Sequence, residues 1–365
     1  KNLTAKVEWS DLSLSLLTNF PNASVGLDEL SVINNQPFEG DTLFYAKSFE
    51  LKMGLFQLFS PNELSIDQIS VDEALVNIKT NADGVANYDI QKSSESKPTE
   101  NENSSPESEF KLELKSYDIS NSKIIYQDAD AMLITLENFN HQGDGDFSKN
   151  VFILSTHTDS KVSFVSDGTN YLNQNDILLD ADVEMNLNAM RFTFKENTAL
   201  INKLPLSFDG YVQVNENNQD LNINFTTPNS DFKNLLALVP EAYSGNLNGM
   251  QTRGEFELEG RLYGEIDDTH IPKINIALSS QNAEFQYKDL PKKVDNINLD
   301  MKILNDTGIV EDTAIEINTV DFSIDNDRFS GSAIFKELTE NMKADIIAKG
   351  TINLKNLSQA YPIDA

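Results

Sequence analysis

Apolar and polar residues alternate with period two over most of the chain, first from Phe20 to Ile90 and again from Phe110 onward. This period is typical of half-buried β-strands, whose successive side chains point to opposite faces of a sheet. Turn sequences such as Asn81-Ala82-Asp83-Gly84 separate the segments at intervals of roughly 8 to 12 residues. The pattern predicts an all-β protein with a few short helices.

Two stretches interrupt the alternation. Residues 91–109 contain no large apolar side chain and are rich in Ser, Glu and Pro, which predicts a disordered acidic loop, with an interdomain linker as the alternative. Residues 231–239 predict a short helix, because Asp231 can cap its start and Pro240 follows its end. The resulting division is an N-terminal β region at 1–90, the loop at 91–109, a β continuation at 110–227, and a module at 228–365 that contains the helix.

A sheet with so little helix must curl to bury its apolar face. The inward-facing positions follow from the alternation. We expect this face to be lined by Val76, Ile78, Leu112, Leu114, Leu221, Ile223, Phe225, Phe256, Leu258, Ile274, Ile276, Leu278, Ile297, Leu299, Met301 and Ile303. Two arrangements are compatible with this set: a closed sandwich or barrel whose side chains fill the interior, or an elongated, curled antiparallel sheet with an open apolar groove.

The composition narrows the candidate partners. With 28 Lys+Arg and 58 Asp+Glu, the formal net charge is -30, which argues against nucleic acid as a partner and against electrostatic docking on an anionic bilayer. The chain has no cysteine, so disulfides and thiolate metal sites are excluded. No apolar run reaches the roughly 20 residues needed to span a bilayer, and no signal peptide is apparent.

No motif indicates catalysis. Gly143-Asp144-Gly145-Asp146 resembles a calcium loop but lacks the further carboxylates of an EF-hand, which favours a turn. The three histidines, His141, His157 and His270, lie far apart in the sequence and belong to no two-histidine metal motif. We therefore expect no enzyme activity, no metal and no cofactor.

The chain also contains a series of short phrases in a fixed order. They are Asn19-Phe20-Pro21 with Val25, Leu27 and Leu30; Gly40-Asp41 with Ala46 and Leu51; Asp83-Gly84 with Asn87 and Tyr88; Asn140 to Phe147 with Phe152, Leu154 and Thr156; and, later, Gly254 to Gly264 and Phe285 to Pro291. In this combination they resemble the AsmA family of bacterial envelope proteins, in particular its Bacteroidetes type.

The resemblance implies that this chain is the periplasmic portion of a longer protein, truncated at its C-terminus and anchored in the inner membrane by an N-terminal helix that it does not contain. It further implies a non-catalytic role in outer-membrane biogenesis, in which phospholipid or another acyl lipid is bound or conducted along the groove between the two membranes. An envelope protein is a further candidate partner. The alternative is a structural or binding scaffold of the envelope with a closed β core and a protein or glycan partner.

Overall fold

The computed structural model describes residues 3–16, 20–55, 65–91, 113–129, 132–166, 168–236, 250–267, 269–286, 292–338 and 341–353. In the first half of the chain the strands are β1 (Lys6–Glu8), β2 (Asp11–Ser15), β3 (Asn22–Ile33), β4 (Thr42–Gly54), β5 (Ser65–Thr80), β6 (Glu113–Asp128), β7 (Met132–Asp144), β8 (Val151–Ser166) and β9 (Thr169–Asn186). In the second half they are β10 (Arg191–Ile201), β11 (Leu204–Val214), β12 (Gln219–Asp231), β13 (Gln251–Ile266), β14 (Lys273–Gln286), β15 (Val294–Asn305), β16 (Ala314–Ile324), β17 (Asp327–Lys336) and β18 (Lys343–Gly350).

Helical structure in the described residues is limited to α1 (Phe232–Leu236) and a 3-10 turn at Val310–Asp312. The predicted N-cap is present, because Asp231 Oδ1 accepts a hydrogen bond from the Lys233 backbone N–H at 2.9 Å. Residues 237–239, which belonged to the predicted helix, lie outside the described residues, as does nearly all of the predicted loop at 91–109. The predicted fold class, an all-β, curled and mostly antiparallel sheet with little helix, is confirmed.

The chain forms two compact units, residues 1–180 and residues 181–365, and the boundary falls within β9. In unit 1, β1 and β2 both pair with β3, and β3 to β8 then pair in chain order. The β5–β6 pair is parallel and its described neighbours are antiparallel. In unit 2, β10 to β18 form an antiparallel ladder in which each strand pairs with the next.

Residues with a left-handed backbone conformation interrupt several strands of unit 1, at positions that lie side by side across the sheet. Glu73 of β5, Asn121 of β6 and Asn138 of β7 have φ values of 47°, 50° and 50°, and the β6–β7 and β7–β8 registers shift at the last two. The extra residue at such a bulge bends the strand and increases its twist. It also keeps the apolar face in phase, since Val71 and Ala74, three positions apart, pack in one core cluster.

Each irregularity leaves backbone groups without a ladder partner, and polar side chains on neighbouring strands satisfy them. The Ser122 hydroxyl accepts from the Ala74 N–H at 3.0 Å and donates to the Ser120 carbonyl at 2.8 Å. In the same way Asn140 accepts from the Asn121 N–H at 2.9 Å. The Ala74 N–H is buried, and such a donor costs about 1–3 kcal/mol when it lacks a partner, so the Ser122 hydroxyl stabilises the bend; the Asn121 N–H is exposed.

In unit 2, too, polar side chains satisfy backbone groups at strand irregularities. On β12 two residues, Pro228 and Asn229, lie opposite the single residue Glu257 of β13, so β12 has one extra residue after Thr227. The Thr227 Oγ1 accepts from the Leu258 N–H at 3.1 Å, and Thr227 is only 6 % exposed. At β10 the Asn197 side-chain oxygen accepts from the Asp182 N–H at 2.9 Å. Buried polar residues therefore mark the positions where the strands bend.

We expect Thr227→Val to lower the free energy of unfolding by about 1–3 kcal/mol, because the isosteric valine leaves the partly buried Leu258 N–H without an acceptor. Thr226→Val, one residue earlier and exposed, is the matched control and should change the stability by less than about 0.5 kcal/mol. Urea denaturation of the two variants measures the difference. Equal stability of the two would show that the Thr227 hydroxyl does not contribute as a cap.

Candidate functional site: the apolar sheet face

Cross-strand pairing brings the predicted lining residues of unit 2 onto one face, since directly paired residues point to the same side of a sheet. We call this surface the unit 2 apolar face. Two of its rows across the strands are Gly260, Ile276, Ile303, Ile315 and Phe335, and Leu258, Leu278, Met301, Ile317 and Ala333. Other pairs on the same face are Ile223 with Leu262, Leu262 with Ile274, and Ser280 with Phe256 and Leu299.

A steric clash with the neighbouring strand explains why position 260 on this face is a glycine. Phe225 of β12 pairs with Gly260, and a Cβ atom at that glycine would lie 2.1 Å from the Phe225 ring. The end of the aromatic ring therefore lies over Gly260 of the neighbouring strand. Leu221 and Ile223 continue the apolar row along β12.

At one end, the unit 2 apolar face is covered by a hydrophobic core cluster. Phe232 of α1 and Leu204 of β11 form a core cluster with Phe256, Ala283 and Ile297. Phe256 and Leu204 are each 1 % exposed. At this end Phe256 and Ile297 act as core residues.

The rest of the unit 2 apolar face is only half-buried. Ile274, Ile276 and Ile303 keep part of their surface in solvent. Leu299 and Met301 are also partly exposed, but they pack against the core cluster at the covered end. Leu221 is buried within the face, and Leu278 is buried as a member of the core cluster. Among the described residues of unit 2, α1 packs on β12 and β13. A filled sandwich would bury these side chains, so beyond the packed end this surface is open.

In unit 1 the predicted residues are partly brought together. Val76 pairs with Phe44 and Ile124, and Ile78 pairs with Tyr126. We call their side, with Val71 and Ile119, the unit 1 apolar face. Leu114 pairs with Ile66 at the first residues of the strands and is buried. It is an odd number of positions from Tyr117, which places it on the opposite side of β6. Leu112 lies outside the described residues.

The unit 1 apolar face carries a polar chain that sequence reasoning missed. The Tyr117 hydroxyl lies 2.7 Å from His141 Nε2, and His141 Nδ1 lies 2.8 Å from the Thr158 hydroxyl. All three residues are half-buried. They lie on the apolar side because Ile119 pairs with His141, and His141 pairs with Thr158. Their position along the strands is the sequence signal that could have revealed them. Each occupies a strand position whose side chain points to the apolar face.

Aromatic rings surround this polar chain. The His141 ring stacks on Phe139 with centroids 5.5 Å apart, and the Tyr117 ring meets Phe147 edge-on at 6.1 Å. Burial lowers the pKa of His141 and raises that of Tyr117. The imidazole is therefore held neutral at neutral pH.

The Gly143 to Asp146 segment is explained by packing. A Cβ atom at Gly143 would lie 2.4 Å from the Tyr117 ring, and one at Gly145 would lie 3.0 Å from the Phe152 ring. Asp146 accepts from the Ser148 hydroxyl at 2.5 Å and pairs with Lys149 at 2.8 Å, which lowers its pKa to about 2. Within the described residues no group of three or more His, Asp or Glu side chains is arranged to hold a metal ion.

Comparison with known proteins found no family model, no curated protein and no solved structure that matches this chain. None of the helices in the described residues is long and apolar enough to cross a membrane.

The lowered pKa of His141 predicts a pH dependence of stability. Below the ordinary histidine pKa of 6.5 the unfolded chain binds a proton that the folded His141 does not, so the free energy of unfolding falls as the pH decreases. We expect the wild type to lose stability relative to His141→Gln when the pH is lowered from about 7.5 to about 5.5. Urea denaturation at several pH values measures this, and parallel curves for the two proteins would contradict it.

Proposed function

We propose that the protein is a non-catalytic, AsmA-like component of the bacterial envelope that binds or conducts phospholipid, or another acyl lipid, along its apolar sheet faces. In this proposal it lies in the periplasm as part of a protein anchored in the inner membrane, and it serves outer-membrane biogenesis. The acyl chains lie against inward Ile, Leu, Val and Phe side chains while the headgroups stay in water. The protein shields its cargo and does not transform it.

The single observation that supports this most is the half-buried row of Ile276, Ile303 and Ile315 on the unit 2 apolar face. Adjacent strands are about 4.8 Å apart, so such a row gives an acyl chain a continuous apolar surface across the ladder. Burial of apolar groups contributes about 0.8 kcal/mol per methylene. A long acyl chain therefore gains on the order of 10 kcal/mol before the costs of ordering.

A scaffold function has one observation in its favour. On β18 both Ile346 and Ile347 are exposed, at 63 % and 64 %, although they point to opposite faces. Within the described residues the outer edge of β18 has no ladder partner. An exposed edge of this kind accepts a strand from a protein partner, as the envelope-scaffold alternative requires.

Native mass spectrometry of the purified chain, with organic extraction of whatever co-purifies, tests the proposed function. We expect a phospholipid or other acyl lipid in stoichiometric amount. A lipid-free chain that also fails to take up a fluorescent fatty acid would contradict lipid handling and favour the scaffold.

A substitution separates lipid retention from folding. We expect Ile276→Glu to reduce the retained lipid at least fivefold, because a carboxylate on the unit 2 apolar face is desolvated when an acyl chain lies over it. The neighbouring Asn275→Glu places the same charge on the opposite, exposed side of β14 and serves as the control. Equal retention by the two variants, with both folded by circular dichroism, would show that this face does not hold lipid.

A further inference from the structure

The Tyr117–His141–Thr158 chain contains one more hydrogen than its own hydrogen bonds can use. Each hydroxyl carries one hydrogen and the neutral imidazole carries one. The two contacts within the chain, at 2.7 Å and 2.8 Å, consume two of these three. With either imidazole tautomer the third hydrogen is left on a hydroxyl, either that of Tyr117 or that of Thr158.

Neither hydroxyl has another hydrogen-bond partner among the described residues. On this side of the sheet Ile119 pairs with His141 and Phe139 stacks on its ring, while Thr156, two positions before Thr158, is a polar neighbour. A half-buried donor in such surroundings stabilises any acceptor that reaches it, since leaving the donor unpaired costs free energy. The position can therefore donate a hydrogen bond to an external acceptor, which replaces water there.

The local charge favours a neutral acceptor. None of the described contacts of the three residues involves a lysine or arginine. Among the described residues, Asp144 is the charged side chain whose negative charge helps to raise the pKa of Tyr117. A phosphate or a free carboxylate would be repelled by Asp144, and the nearest lysine on this face of β6, Lys115, is already paired with Asp67. An ester carbonyl oxygen is not charged and accepts the same hydrogen bond.

We propose that the Tyr117–His141–Thr158 chain is a binding site for the ester carbonyl of an acyl lipid. The carbonyl oxygen accepts the free hydroxyl hydrogen while the acyl chain lies on the neighbouring apolar side chains of unit 1, such as Val71 and Ile119. The site fixes the position on this face at which the ester end of a lipid binds. It rests on the proposed function, since it needs an acyl lipid on the sheet.

Two uncharged ligands of similar length test the site. Methyl hexadecanoate, labelled with carbon-13 at its carbonyl, carries the acceptor, and heptadecane does not. We expect the wild-type chain to bind the ester about fivefold more tightly than the hydrocarbon, the ratio that one hydrogen bond supplies. The infrared carbonyl band of the bound ester should lie at lower wavenumber than the band of the same ester in hexane.

The double variant Tyr117→Phe/Thr158→Val removes both hydroxyls. We expect its preference for the ester to fall to about onefold, its affinity for heptadecane to stay unchanged, and the carbonyl band to return toward its position in hexane. Tyr126→Phe is the matched control, because Tyr126 lies on the same strand and the same face but outside the chain of three. It should behave as the wild type.

The outcomes separate the two proposals. Equal binding of ester and hydrocarbon by the wild type, with the carbonyl band at its position in hexane, overturns the carbonyl site and leaves lipid binding intact. Failure of both ligands to bind overturns the site and the proposed function together. Tighter binding of hexadecanoate than of its methyl ester would assign the site to a free carboxylate and contradict a neutral acceptor. If the double variant does not fold, the wild-type band and ligand ratio still decide.

Discussion

The structure depends on satisfying the backbone groups that the strand bends leave without partners. A flat ladder pairs its own N–H and C=O groups, but a left-handed residue such as Asn121 or Asn138 breaks the register and leaves backbone donors without ladder partners. Ser122, Asn140, Asn197 and Thr227 supply the missing acceptors. Without them the strands would have to straighten or leave polar groups unpaired.

This requirement explains why a surface that is otherwise apolar contains small polar residues. Ser122 and Thr227 are more deeply buried than many of the isoleucines around them. Their hydroxyls are turned to the backbone, so the surface they present is largely that of their carbon atoms. The Tyr117–His141–Thr158 chain is different, because its members form hydrogen bonds with one another and one hydroxyl hydrogen is left without an acceptor. The distinction between a polar residue that caps backbone and one that does not is visible only in the contacts.

The period-two alternation was sufficient to predict the all-β fold and to group residues such as Ile276, Ile303 and Met301 on one face, since side-chain direction in a strand is fixed by position. It could not predict the bulges, because the left-handed conformation of Glu73 has no signature in its residue type. The packed end was missed for a related reason: Phe232 and Leu204 meet Phe256 through tertiary contacts that strand parity does not encode. Likewise Tyr117, His141 and Thr158 are far apart in sequence and are joined only by the ladder register.

The parallel β5–β6 pair has a consequence for how the chain acquires its fold. Most strands pair with a neighbour close in sequence, so those hairpins can form locally and extend by adding strands, as in repeat proteins. The β5–β6 pair must instead close the connection between Thr80 and Glu113, whose length raises the loop-closure free energy by about 2 kcal/mol over that of a three-residue hairpin. We therefore expect the strands before this connection and those after it to nucleate separately. Their joining then sets the slowest step in the assembly of unit 1.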